Sequence, residues 1–76
     1  MSSRLAARVE EVLRPIVGTV LASVSVDVES RRIGKTPSEL DYTDLPVLAD
    51  NLAAALVLVV GKDLADAAAR NVRRLA

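Results

Sequence analysis

The sequence contains no cysteine, no histidine, no phenylalanine and no tryptophan, and Tyr42 is its single aromatic residue. Without cysteine the chain can form neither a disulfide framework nor a thiolate metal site. Without histidine it lacks the commonest zinc ligand and the commonest general base. No complete catalytic, metal-binding or nucleotide-binding motif stands in their place. We therefore expect a protein that is not an enzyme and that uses no cofactor.

What the sequence does contain is a large share of small aliphatic residues. Of its 76 residues, 51% are hydrophobic, and most of these are alanine, valine and leucine. Such side chains suit close contacts between helices, but each buries less area than an aromatic ring. A domain of this size has a small core. Association with a second copy is the natural way to bury more apolar surface.

The charge and hydropathy of the sequence indicate which partners and which cellular location to expect. Ten basic and ten acidic residues give a net charge of zero, which argues against a generally basic nucleic-acid surface. Arg4 and Arg8 interrupt the first residues of the chain, so we predict no secretory signal there. The longest apolar run, residues 52–61, is about ten residues long, whereas a transmembrane helix needs about 20. These features predict a cytoplasmic protein that does not contact membranes.

Helical periodicity predicts an all-α protein with a single domain over residues 1–76. Gly18 and Gly61 each separate two periodic stretches, which gives two helix–glycine–helix hairpins at about residues 3–33 and 44–76, with a linker at 34–43. Ser2 or Ser3 is expected to cap the first helix, and Pro15 is expected to end or kink it. The predicted core-facing residues of the first, third and fourth helices are Leu5, Val9, Val12 and Ile16; Leu45, Leu48, Leu52, Leu56 and Val59; and Leu64, Ala68, Val72 and Leu75.

Residues 19–33 fit two kinds of element. Valine or alanine at every second position from Val20 to Val28 is typical of a half-buried strand. The same segment fits a helix whose apolar stripe is Val17, Leu21, Val24 and Val28, with Val26 off the stripe. The periodicity of this segment leaves both structures open.

Displacing the chain by 43 residues against itself aligns similar residues without a gap. The identical pairs include Leu5 with Leu48, Ala6 with Ala49, Leu13 with Leu56, Gly18 with Gly61, Leu21 with Leu64, Ala22 with Ala65 and Arg31 with Arg74. Some matches arise by chance in so aliphatic a chain, yet the shared pattern of helix, Val-Gly turn and helix predicts an internal pseudo-two-fold repeat. Residues 62–76 are helical by propensity, so the repeat also favours a helix at 19–33. The two hairpins then cover one another as a four-helix bundle.

The linker carries signals for one short helical turn. Gly34 is expected to stop the second helix, and residues 36–39 read as a capping box with proline at the first helical position. Residues 34–36, Gly-Lys-Thr, also match the end of a P-loop, but the first glycine of that motif falls on Glu29. We therefore interpret them as a helix end followed by a new cap. The acidic residues Glu39, Asp41, Asp44 and Asp50 do not follow the calcium-loop order and are interpreted as a solvated linker and helix start.

The third helix is more hydrophobic than its own bundle requires. Val47, Ala54, Val57 and Leu58 lie off its core-facing stripe. Burial inside the domain and burial against another subunit both account for these residues, and the subunit interface accounts for them better. An isologous dimer is the commonest symmetric assembly. The first hypothesis is thus a non-enzymatic module for self-association or protein interaction, with an assembly or regulatory role.

Two basic clusters support an alternative hypothesis. The clusters are Arg31, Arg32 and Lys35, and Arg70, Arg73 and Arg74. In a dimer each cluster occurs twice and would suit contacts with phosphates, so the alternative is a small dimeric nucleic-acid-binding protein. Both clusters also fit the preference for cations at helix C-termini, and no aromatic residue accompanies them for base stacking. A ligand cavity between the helices is a third, weaker reading.

Overall fold

Helices account for most of residues 4–76, which are the residues described by the structure, a computed structural model. This part of the chain contains no strand. Its elements are α1 (Arg4–Val17), α2 (Thr19–Arg32), a 3₁₀ turn (Pro37–Glu39), a second 3₁₀ turn (Tyr42–Asp44), α3 (Leu45–Val60) and α4 (Lys62–Arg73). The all-α prediction is therefore confirmed, and residues 19–32 are helical. The capping role predicted for Ser2 or Ser3 lies outside the described residues.

The strand-like alternation of residues 19–33 does not produce a strand, because no second strand is available to pair with it among residues 4–76. An unpaired strand would leave its backbone N–H and C=O groups without partners, whereas a helix satisfies them internally. Near the end of α2 the Ser30 hydroxyl donates to the Val26 carbonyl oxygen at 2.6 Å. Ser30 is thus buried without leaving its polar atom unsatisfied.

Helix α1 continues past Pro15 and ends at Val17. Helix α1 therefore ends two residues after Pro15, close to the predicted position. Proline removes its own N–H donor and crowds the carbonyl four residues earlier, yet the next bond of the last turn forms, since the Gly18 amide donates to the Arg14 carbonyl at 2.8 Å. Arg14 and Pro15 both face solvent, so the proline ring meets no neighbouring helix.

The four helices form a closed ring in which each packs against two others. Helix α1 contacts α2 and α4, and α3 contacts α4 and α2. The core consists of small and medium aliphatic side chains: Leu5, Ala6, Val9 and Leu13 of α1, Ala22 and Val26 of α2, Leu40 of the linker, Leu45, Leu48, Ala49, Leu52 and Leu56 of α3, and Ala65, Ala68, Ala69 and Val72 of α4. Alanines on α2 and α4 allow those helices to approach the leucines of α1 and α3 closely.

The predicted stripes of α1, α3 and α4 are correct in part. Four leucines of α3 are buried as predicted, but Val59 is exposed at the helix end. On α1, Leu13 replaces the half-buried Val12 and Ile16 in the core. On α4 the alanines at 65, 68 and 69 are buried with Val72, while Leu64 is half exposed. Close helix packing favours these small residues over the leucine beside them.

Glycine turns connect the helices within each hairpin. Gly18 has φ 86° and ψ 167°, and Gly61 has φ 85° and ψ 169°. This region of backbone conformation is accessible essentially only to glycine. Each glycine amide also donates to a carbonyl four residues earlier, Gly18 to Arg14 at 2.8 Å and Gly61 to Val57 at 3.1 Å. The two turns therefore reverse the chain in the same way.

The linker is held by a lysine that bridges two carboxylates. The Lys35 ammonium lies 2.8 Å from an Asp44 carboxylate oxygen and 3.6 Å from one of Asp41. These contacts raise the pKa of Lys35, mainly through the hydrogen bond to Asp44. Asp41 accepts from the Thr43 hydroxyl and amide, and these bonds, with the nearby ammonium, lower the pKa of Asp41. We call these contacts the linker clasp, since they order the connection between the hairpins.

The capping box predicted at residues 36–39 is present. The Thr36 amide donates to a Glu39 carboxylate oxygen at 2.7 Å, and the Thr36 hydroxyl donates to the same carboxylate at 2.9 Å. Both bonds lower the pKa of Glu39. A second capping box, formed by Asp41 and Asp44, opens the next 3₁₀ turn. The linker therefore holds two short helical turns where one was predicted.

Replacing either glycine of the hairpin turns should destabilise the fold by a similar amount. A Cβ at position 18 or 61 meets no atom within 4 Å, so the cost of Gly18→Ala or Gly61→Ala arises from the backbone alone. We expect each variant to lose about 1–3 kcal/mol in the free energy of unfolding. Urea titration followed by circular dichroism measures the loss. Equal stability of either variant and the native chain would contradict the assigned turn geometry.

Acid should weaken the linker clasp. Folding lowers the pKa values of Glu39 and Asp41 below their ordinary values of 4.5 and 3.8. The contribution of these two carboxylates to the free energy of unfolding is therefore complete above their ordinary pKa values. It is lost as the pH falls through the lowered pKa values. We expect the midpoint of urea denaturation to be independent of pH near neutrality and to decrease below about pH 4. Asp41→Asn, which keeps the acceptor for Thr43, should reduce that fall, whereas Glu11→Gln on the exposed side of α1 should not.

Candidate interaction face

Helix α2 has apolar residues on two sides. A helix turns about 100° per residue, so the even-numbered aliphatic residues of this segment spread around its circumference. Ala22 and Val26 face the core, whereas Val20, Val24 and Val28 form a ridge at spacings of four and are 41–77% exposed. The predicted core-facing stripe through Val24 and Val28 was therefore wrong. The same ridge continues to Arg32, one helical step of four residues further along the chain.

Helix α3 also carries apolar residues on the side that faces away from the core. Val47, Ala54 and Leu58 are exposed, and the Leu58 side chain is 90% exposed. Only Leu52 and Leu56 of the apolar run 52–61 are buried within the chain. Exposure of a leucine to this extent costs the free energy that its burial would have contributed, about 1.5–3 kcal/mol.

A groove of about 310 Å³ lies between α2 and α3. It is lined by Glu29 and Arg32 of α2 and by Asn51, Ala54, Ala55 and Leu58 of α3. Two ridges with a groove between them are the surface into which a further helix packs. We call the surface formed by the ridge Val20, Val24 and Val28, the ridge Val47, Ala54 and Leu58, and this groove the α2–α3 face.

A nearly buried charge pair lies in the groove. The Glu29 residue is 4% exposed, and its carboxylate lies 3.3 Å from the Arg32 Nε atom. The Arg32 side chain is 67% exposed, so the pair has one buried member and one member in solvent. The groove wall therefore combines apolar side chains with a single carboxylate that water reaches poorly.

Four residues were predicted from the sequence to form an interface: Val47, Ala54, Val57 and Leu58. All four are exposed in the chain. Three of them lie on the α2–α3 face, whereas Val57 lies toward the opposite flank of α3, on the side of Asp50. Their role in an interface remains a prediction. Glu29 was missed, although the displacement of 43 residues pairs it with Val72, which was predicted to face the core.

Ion pairs within the chain engage most of the predicted nucleic-acid contacts. Arg31 pairs with Asp27 at 3.2 Å, Arg32 with Glu29, and Lys35 with Asp44. Arg73 pairs with Asp50 across the α3–α4 groove, where Asp66 and Arg70 also lie. Arg74 lies exposed beyond the end of α4. The six cations therefore do not form one positive surface.

The Gly-Lys-Thr segment uses its polar groups to build the linker. Lys35 binds two carboxylates, and Thr36 caps the 3₁₀ turn at Pro37–Glu39. A groove of about 270 Å³ at this segment is lined by Arg31, Gly34, Lys35, Thr36 and Glu39. The Lys35 ammonium and the Thr36 hydroxyl, however, both bind carboxylates of the linker. The interpretation of residues 34–36 as a helix end and a new cap agrees with this geometry.

One helical stretch among residues 4–76 is long and apolar enough to cross a membrane by length and composition alone. It is Tyr42–Val60, with a mean hydropathy of 1.7. Counting only the uninterrupted apolar run, as the sequence prediction did, missed the leucines and valines that precede Asp50. Core helices of folded domains meet the same criterion, so the stretch does not by itself identify a membrane protein.

No protein-family model, no curated protein and no solved structure matches this chain. The functional inference therefore depends on the exposed ridges, the groove and its charge pair.

Proposed function

We propose that this chain is a non-enzymatic helical module that self-associates as a symmetric dimer through the α2–α3 face and serves an assembly or regulatory role. The observation that carries the proposal is the exposure of two adjacent apolar ridges. Large exposed apolar patches mark interaction sites on folded proteins. Covering it would bury Leu58 and the valines of α2, which is the main favourable contribution to association.

We also propose that the two hairpins are copies of one unit related by a pseudo-two-fold axis. The buried positions of the first hairpin support this. Of the nine buried residues between 4 and 33, eight have a buried counterpart 43 residues later. The pairs are Leu5 and Leu48, Ala6 and Ala49, Val9 and Leu52, Leu13 and Leu56, Ala22 and Ala65, Ser25 and Ala68, Val26 and Ala69, and Glu29 and Val72.

The repeat supplies a comparison surface inside the same molecule. Under the displacement of 43 residues the α2–α3 face corresponds to the outer side of α4 and α1. There the counterparts are mostly polar: Asp63, Ala67 and Asn71 replace Val20, Val24 and Val28, and Arg4, Glu11 and Pro15 replace Val47, Ala54 and Leu58. Polar residues at these positions are therefore compatible with the backbone of the hairpin. The apolar residues of the α2–α3 face are not a requirement of the fold.

An apolar face that meets itself gives a closed dimer and not an open chain of subunits. In an isologous contact the same patch meets itself, whereas a head-to-tail contact needs two different complementary patches. A standard interface covers about 800 Å² on each partner, which is less than a fifth of the 4427 Å² accessible surface. One side of a four-helix bundle is therefore large enough.

Nucleic-acid binding is the weaker proposal. Four of its six candidate contacts, Arg31, Arg32, Lys35 and Arg73, already pair with carboxylates. Binding phosphates would require those pairs to break, which reduces the electrostatic gain.

The substitution Leu58→Asp should convert the dimer into a folded monomer. Leu58 is 90% exposed in the chain, so aspartate is tolerated by the fold but places a charge at the centre of the apolar contact. Sedimentation velocity over a concentration series up to tens of micromolar measures the association. Leu64→Asp, the same change at a half-exposed leucine of α4, is the matched control and should leave the dimer intact.

Two outcomes of this experiment would overturn the proposed dimer. One is a native chain that is folded and strictly monomeric at every concentration. The other is a monomer that binds phospholipid vesicles in a Leu58-dependent manner, which would assign the apolar face to a lipid surface. Circular dichroism of each variant confirms that the helices remain formed.

Retention on duplex DNA should be weak at low ionic strength and should depend little on salt. The paired cations leave few free charges for phosphate contacts, so a plot of log affinity against log salt should have a shallow slope. Fluorescence anisotropy with a labelled duplex measures it. A slope steeper than about −4, which corresponds to about four or more phosphate contacts, would restore the nucleic-acid proposal.

A further inference from the structure

Glu29 occupies a position that the fold is able to fill with an aliphatic residue. Its counterpart in the proposed repeat is Val72, which is fully buried. Both residues lie on the core-facing side of the second helix of their hairpin. A carboxylate with 4% exposure is costly to desolvate, and replacing a buried ion pair with apolar residues is often neutral or stabilising. Folding alone therefore gives no reason for a charge at this position.

We infer that Glu29 and Arg32 select and orient the second copy of the chain, with Arg32 of each copy reaching the Glu29 carboxylate of the other. This inference rests on the proposed dimer. It assigns the charge pair in the groove to recognition between copies, whereas the surrounding leucine, alanines and valines supply the buried area.

The position and chemistry of Arg32 fit this role. Its Nε atom faces Glu29 of its own chain at 3.3 Å, and a guanidinium group has further donors on its two terminal nitrogens. The side chain is 67% exposed and ends the ridge that begins at Val20. It therefore extends from the α2–α3 face toward whatever covers that face.

Two-fold symmetry makes the charges complementary. In the proposed dimer the two-fold axis passes through the groove, so two carboxylates and two guanidinium groups meet near the axis. Covering the groove removes water from the terminal nitrogens of Arg32, and unpaired buried donors are costly. The second Glu29 carboxylate supplies the acceptor that those nitrogens need.

This arrangement also excludes other apolar partners. A surface without a carboxylate at the matching place would bury the donors of Arg32 without an acceptor, and the penalty would lower its affinity. The surface that fits is an apolar helix pair with an acid and a base at a spacing of three residues, which is what a second copy presents.

A charge reversal at Arg32 tests the inference against a closely matched control. Arg31→Glu makes the same change one residue away: Arg31 is 63% exposed and pairs with Asp27 in the last turns of the same helix, but it lies on the polar ridge that also carries Ser23 and Asp27. We expect Arg32→Glu to weaken the dimer about tenfold or more and Arg31→Glu to change it less than about threefold. Sedimentation equilibrium of each variant measures the dissociation constants.

A second variant separates recognition from folding. Glu29→Val introduces the residue found at the counterpart position. We expect it to be at least as stable as the native chain when both are compared as monomers in a Leu58→Asp background. In the native background it should weaken the dimer about tenfold, because Arg32 then has no carboxylate to meet. An unchanged or tighter dimer would overturn the inference.

The results distinguish failure of the inference from failure of the proposed function. If the native chain dimerises and Arg32→Glu and Arg31→Glu dimerise equally well, the charge pair has no role in recognition but the dimer remains. If the native chain is monomeric at all concentrations, the proposed dimer itself is wrong, and the inference fails with it.

Discussion

The leucines of α3 are the contacts on which the rest of the structure depends. Leu45, Leu48, Leu52 and Leu56 are fully buried where α3 meets α2 and α4. Because the chain has one aromatic residue, these leucines supply much of the core volume together with Leu5, Val9 and Leu13 of α1. The packing is efficient only if the neighbouring helices present alanine, and this requirement fixes which sides of α2 and α4 turn inward.

The close packing of leucine against alanine also explains which parts of the structure the sequence predicted and which it did not. Glycine signals predicted the hairpin turns, since the backbone conformation at Gly18 and Gly61 leaves little choice of residue. The inward side of α2 was not predictable from periodicity, because valines occupy both sides of that helix. Ala22 and Val26 face the core, whereas Val24 and Val28 remain in solvent. On α3 the four residues that lie off the predicted stripe are exposed, but Val59, which was predicted on the stripe, is exposed as well.

Several charged side chains form ion pairs with residues that are close to them in the sequence. Arg31 pairs with Asp27 one turn earlier on α2, Lys62 pairs with Asp66 one turn later on α4, and Lys35 closes the linker. Exposed pairs of this kind contribute little to stability, but they neutralise charges that would otherwise attract a polyanion. The Glu29 and Arg32 pair is different, because its carboxylate is enclosed by apolar groove walls.

The groove therefore contains two residues that the stability of a monomer does not require, an exposed leucine and a buried glutamate. Leu58 is exposed, and the residue 43 positions earlier, Pro15, is also in solvent. Glu29 is buried, and the residue 43 positions later is the buried Val72. Each of these residues alone is explained as a neutral surface residue or a tolerated core substitution. Together they support the proposed dimer, in which covering the face buries Leu58 and brings Arg32 of each copy to the Glu29 carboxylate of the other.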